Sequence, residues 1–330
     1  MFLGDCLHSA SDANAYQPIP SNLHTDRKTD IGNAIGVVRV VIQAANLKKT
    51  LFAPRPFVRI GTQSHPEAHH RTKMLDIKTH SPNWISESTD VIIYSLQENL
   101  EFRVMNERVS FMPSIIGVAV FQVGILDVEP RMIGVERPIG RDSRTATADA
   151  KGTILFDAFY YPVMASLSPI FSVSSEKEIQ RKSPNSGIVT LRIRQAKDFI
   201  WDDDLPRPSK LVATATVGWE GDTVIHKTPP SYFTGQTPVW NSSSDFICFD
   251  KAGSILVVKI TDDGGTRSER AIYGHVSVAL DELLIAQDEE QTEWWPLTGC
   301  PHGALSMTAQ WKPIDQKFTS AHRQLSPSDT

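Results

Sequence analysis

The sequence predicts an all-β protein, two antiparallel β-sandwiches in tandem, and three observations carry that prediction. First, a closing stretch occurs twice, as Gly152-Thr-Ile-Leu-Phe-Asp-Ala-Phe-Tyr-Tyr-Pro162-Val163 and as Gly303-Ala-Leu-Ser-Met-Thr-Ala-Gln-Trp-Lys-Pro313-Ile314. In each, a glycine opens an alternating apolar run, and a proline that cannot donate to a ladder stops it. Second, an opening stretch repeats: Gly36-Val-Val-Arg-Val-Val-Ile-Gln-Ala-Ala-Asn-Leu47 returns as Gly187-Ile-Val-Thr-Leu-Arg-Ile-Arg-Gln-Ala-Lys-Asp-Phe199, one residue longer. Third, the runs between them match in order. Ser81-Pro-Asn-Trp84 answers to Thr237-Pro-Val-Trp240, Asp90-Val-Ile-Ile-Tyr94 to Asp245-Phe-Ile-Cys-Phe249, and Leu100-Glu-Phe-Arg-Val-Met105 to Ile255-Leu-Val-Val-Lys-Ile-Thr261. Matches in one order imply two copies of one domain, and short alternating runs between turns imply sandwiches.

At 330 residues the chain suits two domains of ordinary size, each able to bury a core. A formal net charge of -5 gives no reason to expect nucleic acid. Cys6, Cys248 and Cys300 are widely spaced and odd in number, which fits a reducing cytosol rather than a disulfide framework or zinc knuckle. The first residues show no basic region followed by an apolar run, so no signal peptide is read. No stretch approaches the length of a membrane span, so any membrane contact is expected to be peripheral.

In chain order, residues 1–33 are polar and aperiodic and are expected to be disordered. The first domain is placed at 34–163, a Ser-, Pro- and Lys-rich linker at 164–186, and the second domain at 187–314. A short helical turn is expected within the linker at Ser175-Glu-Lys-Glu-Ile-Gln-Arg181, and a fraying tail at 315–330.

The ordered motifs resemble those of C2 domains. The residues that carry the resemblance are Ala44 to Leu47, Arg71-Thr-Lys73, Pro82-Asn-Trp84, Val104-Met-Asn106, Ile116-Gly117 and Gly152. In the second copy they are Ala196 to Phe199, Pro238-Val-Trp240, Ile260-Thr-Asp262, Tyr273-Gly274 and Gly303. The resemblance implies eight-stranded Greek-key sandwiches. The endings Tyr160-Tyr-Pro-Val163 and Gln310-Trp-Lys-Pro313 are similar to those of tricalbins and extended synaptotagmins. Those families tether endoplasmic reticulum to plasma membrane. Their lipid-transfer module and membrane anchors have no counterpart in this sequence, so transfer activity does not carry over.

A calcium-binding C2 domain gathers aspartates from two loops at one sandwich end, because calcium takes about six to eight oxygen ligands. In the first copy those loops read Arg55-Pro-Phe-Val58 and Asn106-Glu-Arg108, with Pro113 and Ser114 where acids should stand. Calcium is not expected there. The second copy offers Asp202-Asp-Asp204 and Asp262-Asp263, against Lys210, Arg267 and Arg270. Its two readings are a weak Ca²⁺ site using Asp202 or Asp203 with Asp262, and a solvated acidic loop.

Two features of the first domain point toward lipid. The loops stripped of acids carry Leu51-Phe52-Ala-Pro54 and Phe111-Met112-Pro113, so Phe52, Phe111 and Met112 either enter a membrane or pack as a loop cap. Arg59, with Arg71 and Lys73 alternating onto one strand face, supplies charge for anionic head groups. The second domain is more acidic, through Asp288-Glu-Glu290 and Glu293, and suits a protein partner better. His65, Glu67, His69 and His70 fit no metal-ligand spacing, Gly264-Gly265 lacks a P-loop ending, and Trp294-Trp295 reads as a core lid. No nucleophile elbow or His-Glu-x-x-His helix appears, so no enzyme is expected. The sequence reading is therefore a cytoplasmic, peripheral, largely calcium-independent binder of anionic phospholipid membrane, possessing no cofactor beyond that weak calcium site. Its resemblance to tethers extends the reading to contacts between endoplasmic reticulum and plasma membrane. The rival is a protein-interaction scaffold that has lost lipid binding.

Overall fold

The structure is a computed structural model describing residues 31–64, 70–107, 113–142, 150–164, 184–200, 205, 208–218, 223–232, 237–263, 271–285 and 294–314. The lead-in to residue 30, the linker turn at 175–181 and the tail from 315 lie outside the described residues. The first domain holds β1 (Gly36–Leu47), β2 (Pro56–Thr62), β3 (His70–Arg71), β4 (Asn83–Ile93), β5 (Asn99–Asn106), β6 (Ser114–Gln122), β7 (Arg131–Pro138) and β8 (Gly152–Pro162). They form two antiparallel sheets, ordered β4-β1-β8-β7 and β3-β2-β5-β6. The second domain holds β9 (Gly187–Ile200), β10 (Lys210–Gly218), β11 (Thr223–Lys227), β12 (Ser231–Tyr232), β13 (Val239–Cys248), β14 (Ile255–Asp262), β15 (Ile272–Ala279), β16 (Trp294–Pro296) and β17 (His302–Pro313). Its sheets run β13-β9-β17-β16 and β11-β10-β14-β15, with β12 paired to β10. The two-residue β12 is the one addition to the eight strands expected.

Alternation drives each sandwich, since successive side chains of a strand face opposite ways. Val38, Val40 and Ile42 of β1 point inward onto Val58, Ile60, Phe102 and Phe156, and all are buried. Phe102 stacks on Phe156 at 4.4 Å between ring centroids, and Phe121 meets the same ring edge-on at 5.5 Å. The second core repeats the plan with Val189, Leu191, Ile193, Val258, Ile260 and Met307. Gly152, which opens β8, and Gly303, the second residue of β17, have φ of +145° and +146°, and a Cβ on Gly152 would collide with the Asn46 carbonyl oxygen. Only glycine serves there.

A buried threonine ties each second sheet together. Thr72 accepts from the Val58 amide through Oγ1 at 2.9 Å and donates its own amide to the Val58 carbonyl at 2.9 Å. Thr228 does the same with Ala213, at 3.0 and 2.9 Å. The second copy thus has a counterpart to Arg71-Thr-Lys73. Pro229 stands where the lysine should, which hid the match.

Sequence patterning assigns each domain its own core, joined by a linker; the structure adds a third apolar cluster between them. Val37, Phe159 and Tyr161, on the outer face of β1 and β8, pack with Ile188 and Ile314 of the second domain. An antiparallel bridge pairs Val163 with Ile314, which hold equivalent positions in the two repeats. Equivalent bonds flank it: Val163 donates its amide to Ile35 at 2.8 Å, and Ile314 donates to Ser186 at 3.1 Å. The repeats are therefore related by a local pseudo-two-fold, the self-complementary geometry of an isologous interface. Polar groups at its edge are matched. Arg39 grips Asp90 with two bonds of 2.8 and 2.9 Å and lies over Tyr161 and Phe249. Asp245, equivalent to Asp90, accepts from the Gly32 amide at 3.0 Å and from Thr190 Oγ1 at 2.6 Å.

Because the outer faces are shared, the whole chain should unfold in one calorimetric transition. Truncating the shared cluster with Tyr161→Ala and Ile188→Ala should cost about 2–5 kcal/mol per side chain and split that transition into two. A double variant that still melts in one step, at the parent temperature, would show that the cluster does not couple the domains.

Candidate functional site

The turn between β1 and β2 is held from several sides. Lys48 donates its amide to the Lys151 carbonyl at 2.6 Å, and Thr79 donates to Pro54 at 2.9 Å. The Thr50 amide donates to His80 Nε2 at 3.1 Å, while Thr50 Oγ1 donates to the Phe52 carbonyl at 2.8 Å. Arg55 closes the turn by donating its amide to Asn106 Oδ1 at 2.9 Å. At the tip of this anchored turn Leu51 is 90% exposed and Phe52 82%. Neither side chain is buried. Pairing of Pro56 with Asn106 puts the root of the β5–β6 loop at the same end, where Ile115 is 57% exposed. Phe111 and Met112 of that loop lie outside the described residues.

Beside the tip lies an open cleft of 1290 Å³. Its lining combines the apolar Leu51, Phe52 and Ile115 with the cationic Lys48, Arg141 and Lys151. No aspartate or glutamate is among its described lining residues, and among the described residues none of these three cations makes an ion pair. Sequence reasoning missed all three, because three segments supply them. The register of β1 on β8 pairs Leu47 with Gly152 and so sets Lys48 next to Lys151. The bridge of Val118 to Gly140 brings in Arg141, and a Cβ on Gly117 would strike the Gly140 carbonyl. That close approach is the physical content of the Ile116-Gly117 motif.

The expected basic strand face is present but partly neutralised. Arg59 sits opposite Arg71 on one side and Arg103 on the other. Arg71 stacks on Phe57 at 4.1 Å and meets Glu107 at 3.6 Å, and Arg103 meets Glu101 at 3.0 Å. Strand β3 ends at Arg71, so Lys73 lies beyond it rather than on it. With Thr72 buried between them, Arg71 and Lys73 are both exposed. The Lys73 amide donates to both Glu87 carboxylate oxygens at 2.9 Å.

The two candidate calcium ends share one device. Where Asn106 accepts from Arg55 in the first domain, Asp262 accepts from the Ser209 amide at 3.1 Å and the Lys210 amide at 2.9 Å in the second. The side chain that opens the later loop thereby clamps the earlier one. Asp263 is paired with Lys227 at 2.8 Å. Among the described residues no three His, Cys, Asp or Glu side chains converge on a metal position. In the first domain Arg55 and Asn106 do not fit a divalent cation that takes about six to eight oxygens. In the second, Asp202 and Asp203 lie outside the described residues, as do Gly264, Gly265, Arg267, Arg270, Asp288 to Glu290 and Glu293. Asp262 alone is described, and its carboxylate is bonded to backbone. Of the histidine group, His65, Glu67 and His69 lie outside the described residues, and His70 Nε2 pairs with Glu87 at 3.2 Å. The serine–histidine pair His226 and Ser242, 2.9 Å apart, bridges β11 and β13 across the sandwich edge. Burial pushes the His226 imidazole below its ordinary value.

The model of the C2 domain family matches residues 37–134 and 187–297. No curated protein matches the chain in sequence. Solved structures similar in fold include the tandem C2 domains of extended synaptotagmin 2, at 15% identity and a TM-score of 0.54, with 95% of this chain and 99% of that chain covered. The calcium-bound form of those domains gives 15% identity and 0.56, covering 86% of this chain and 98% of that one. A longer structure of the same protein, with its SMP domain, gives 15% and 0.57. The alignment covers 86% of this chain but only 58% of that longer one.

The clamp can be tested by denaturation. Asp262→Ala, which frees two amides, should cost about 0.5–1.5 kcal/mol per lost bond. Asp262→Asn, which reproduces the arrangement at Asn106 and keeps one acceptor, should cost less. Equal losses for the two variants would show that the carboxylate's bonds to Ser209 and Lys210 do not hold the loop.

Proposed function

The chain belongs to the C2 domain family, and from that premise we propose a non-enzymatic, peripheral protein that docks on anionic phospholipid membrane through the loop end of its first domain. The observation that carries this reading is the anchored turn with Leu51 and Phe52 exposed beside three cations that make no ion pair among the described residues. An exposed apolar tip on a fixed turn is poised for insertion, because little ordering entropy remains to be lost on docking. Full burial of each such side chain in the acyl boundary contributes about 1.5–3 kcal/mol. Each nearby cation adds about 1 kcal/mol at an anionic leaflet. Arg59 and the strand face contribute less than their number suggests, since Glu107 and Glu101 already neutralise Arg71 and Arg103. Calcium has no part in this mode: Arg55 and Asn106 occupy the ligand positions, and an amide–carboxamide bond joins the loops.

Among the described residues no helix is long and apolar enough to cross a membrane, and the docking proposed needs none. The Val163–Ile314 bridge joins, antiparallel, the residues that directly follow β8 and β17, so the far ends of the two strands and the loop ends beside them point apart. That geometry supports a tether: one loop end on a membrane and the other, on the more acidic domain, facing a partner or a second surface. The cytoplasmic face of a contact between endoplasmic reticulum and plasma membrane is the location this reading assigns.

Sedimentation with phosphatidylserine vesicles tests the proposal. Binding should persist in a calcium chelator, and Leu51→Ser with Phe52→Ser should weaken it at least about tenfold. The remaining binding should vanish at high salt, because exposed charge is screened over about 8 Å at physiological ionic strength. An unchanged double variant, or binding only with calcium, would refute the reading and favour the scaffold.

A further inference from the structure

We propose that the cleft beside Leu51 and Phe52 is a receptor for a phosphomonoester lipid headgroup, gripped by Lys48, Arg141 and Lys151. The inference rests on the membrane-docking reading and adds to it the chemistry of the lipid. Three cations converge from three chain segments onto one concavity without a described carboxylate among its lining residues. Such a concentration of positive charge is repulsive to itself and is relieved best by a multivalent anion. A phosphodiester carries one negative charge, whereas a phosphomonoester carries about −1.5 to −2 at pH 7, with three strong acceptor oxygens. Three cationic side chains supply more than enough N–H donors for the three acceptor oxygens, and charge-assisted bonds of this kind are about twice as strong as neutral ones. Polar groups complete the wall: Asn106, whose Oδ1 is held by Arg55, and His80, whose Nε2 is held by Thr50. Their positions are fixed by the same bonds that fix the turn, so the wall is preorganised.

The occupant is a lipid rather than free phosphate because the apolar rim and the cationic wall are parts of one cleft. Leu51 and Phe52 enter the acyl boundary only if the cleft beside them lies at headgroup depth. Arg59, Arg71 and Lys73 of the strand face, which carries its own acids, are not among the described lining residues of the cleft.

The test uses the full chain and vesicles of matched surface charge, one set containing phosphatidic acid and the other phosphatidylserine. The parent should prefer phosphatidic acid by about tenfold or more. The triple variant Lys48→Gln, Arg141→Gln and Lys151→Gln alters exposed side chains only, and its thermal midpoint should equal the parent's. It should lose the preference while keeping residual binding to phosphatidylserine through the tips. Arg59→Gln with Arg71→Gln should keep the preference. A parent that binds both vesicles equally, or a triple variant that retains the preference, overturns the cleft and leaves membrane docking standing. A parent that binds neither vesicle overturns docking and the cleft together. Glycerol 3-phosphate displacing the protein at concentrations comparable to the lipid would assign a free-phosphate site and overturn the lipid assignment.

Discussion

Two paired strands, β1 and β8, carry apolar side chains on both faces: Val38, Val40, Phe156 and Ala158 inward, and Val37, Phe159 and Tyr161 outward. A sheet of that kind must be covered twice, as parallel sheets in layered folds are. The second sheet of the first domain covers one side and the second domain covers the other. Because the second domain is a copy, its own β9 and β17 have the same need, shown by buried Val189 and Ile188 on opposite faces. Two identical needs are met by one pseudo-symmetric contact, with Val163 on Ile314 at its edge. The domains are thereby joined away from the β1–β2 turn of the first domain, which remains exposed.

The free end of the first domain combines two forces that act at different ranges. In the docking proposed, exposed charge at Lys48, Arg141 and Lys151 would act over a Debye length and speed encounter, whereas burial of Leu51 and Phe52 would begin only at contact and set residence. The hydrogen bonds that fix the turn matter to both, since a loose loop would bury its own apolar residues and scatter its cations. Asn106 in the first domain, and Asp262 in the second, joins two loops at its sandwich end by accepting from backbone amides.

The fold was legible because its determinants are local and repeated. The Gly-led closing strands, the Ala-to-Leu strand exits and the Pro-x-Trp entries each mark one element, and their order twice over marks the sandwich. The shared face is also written in the sequence, in the run Val37-Val-Arg-Val-Val-Ile42, apolar on both strand faces except at Arg39, which suits a strand buried on both sides. Periodicity alone assigns that run to one core and leaves its outer face unclaimed. Other features left no local trace. Ile85 adopts a φ of 49°, where its equivalent Asn241 has 45°; asparagine suits that region and isoleucine, β-branched, suits it least. The cationic wall depends on strand register and on one bridge, Val118 to Gly140, so no spacing in the sequence announces Lys48, Arg141 and Lys151 as neighbours. Arg71 and Lys73 were visible as charges, but the acids that offset the face, Glu107 and Glu101, were not visible as their partners. The place of Phe52 in the β1–β2 turn was legible because the motifs had already placed the ends of that loop.

The central claim of the proposal is that the tip formed by Leu51 and Phe52 enters the membrane while the second domain stays outside it. The direct measurement is the depth of a nitroxide spin label attached through Phe52→Cys, with Cys6 and Cys300 replaced by Ser and the buried Cys248 retained. Power saturation on anionic vesicles, in the presence of a calcium chelator, reports contact with oxygen in the acyl region against contact with a water-soluble relaxant. The account predicts a label below the phosphate level at position 52 and a fully aqueous label at Val224, which is exposed on the second domain. A label at position 52 that remains aqueous on vesicles to which the protein is bound would contradict it.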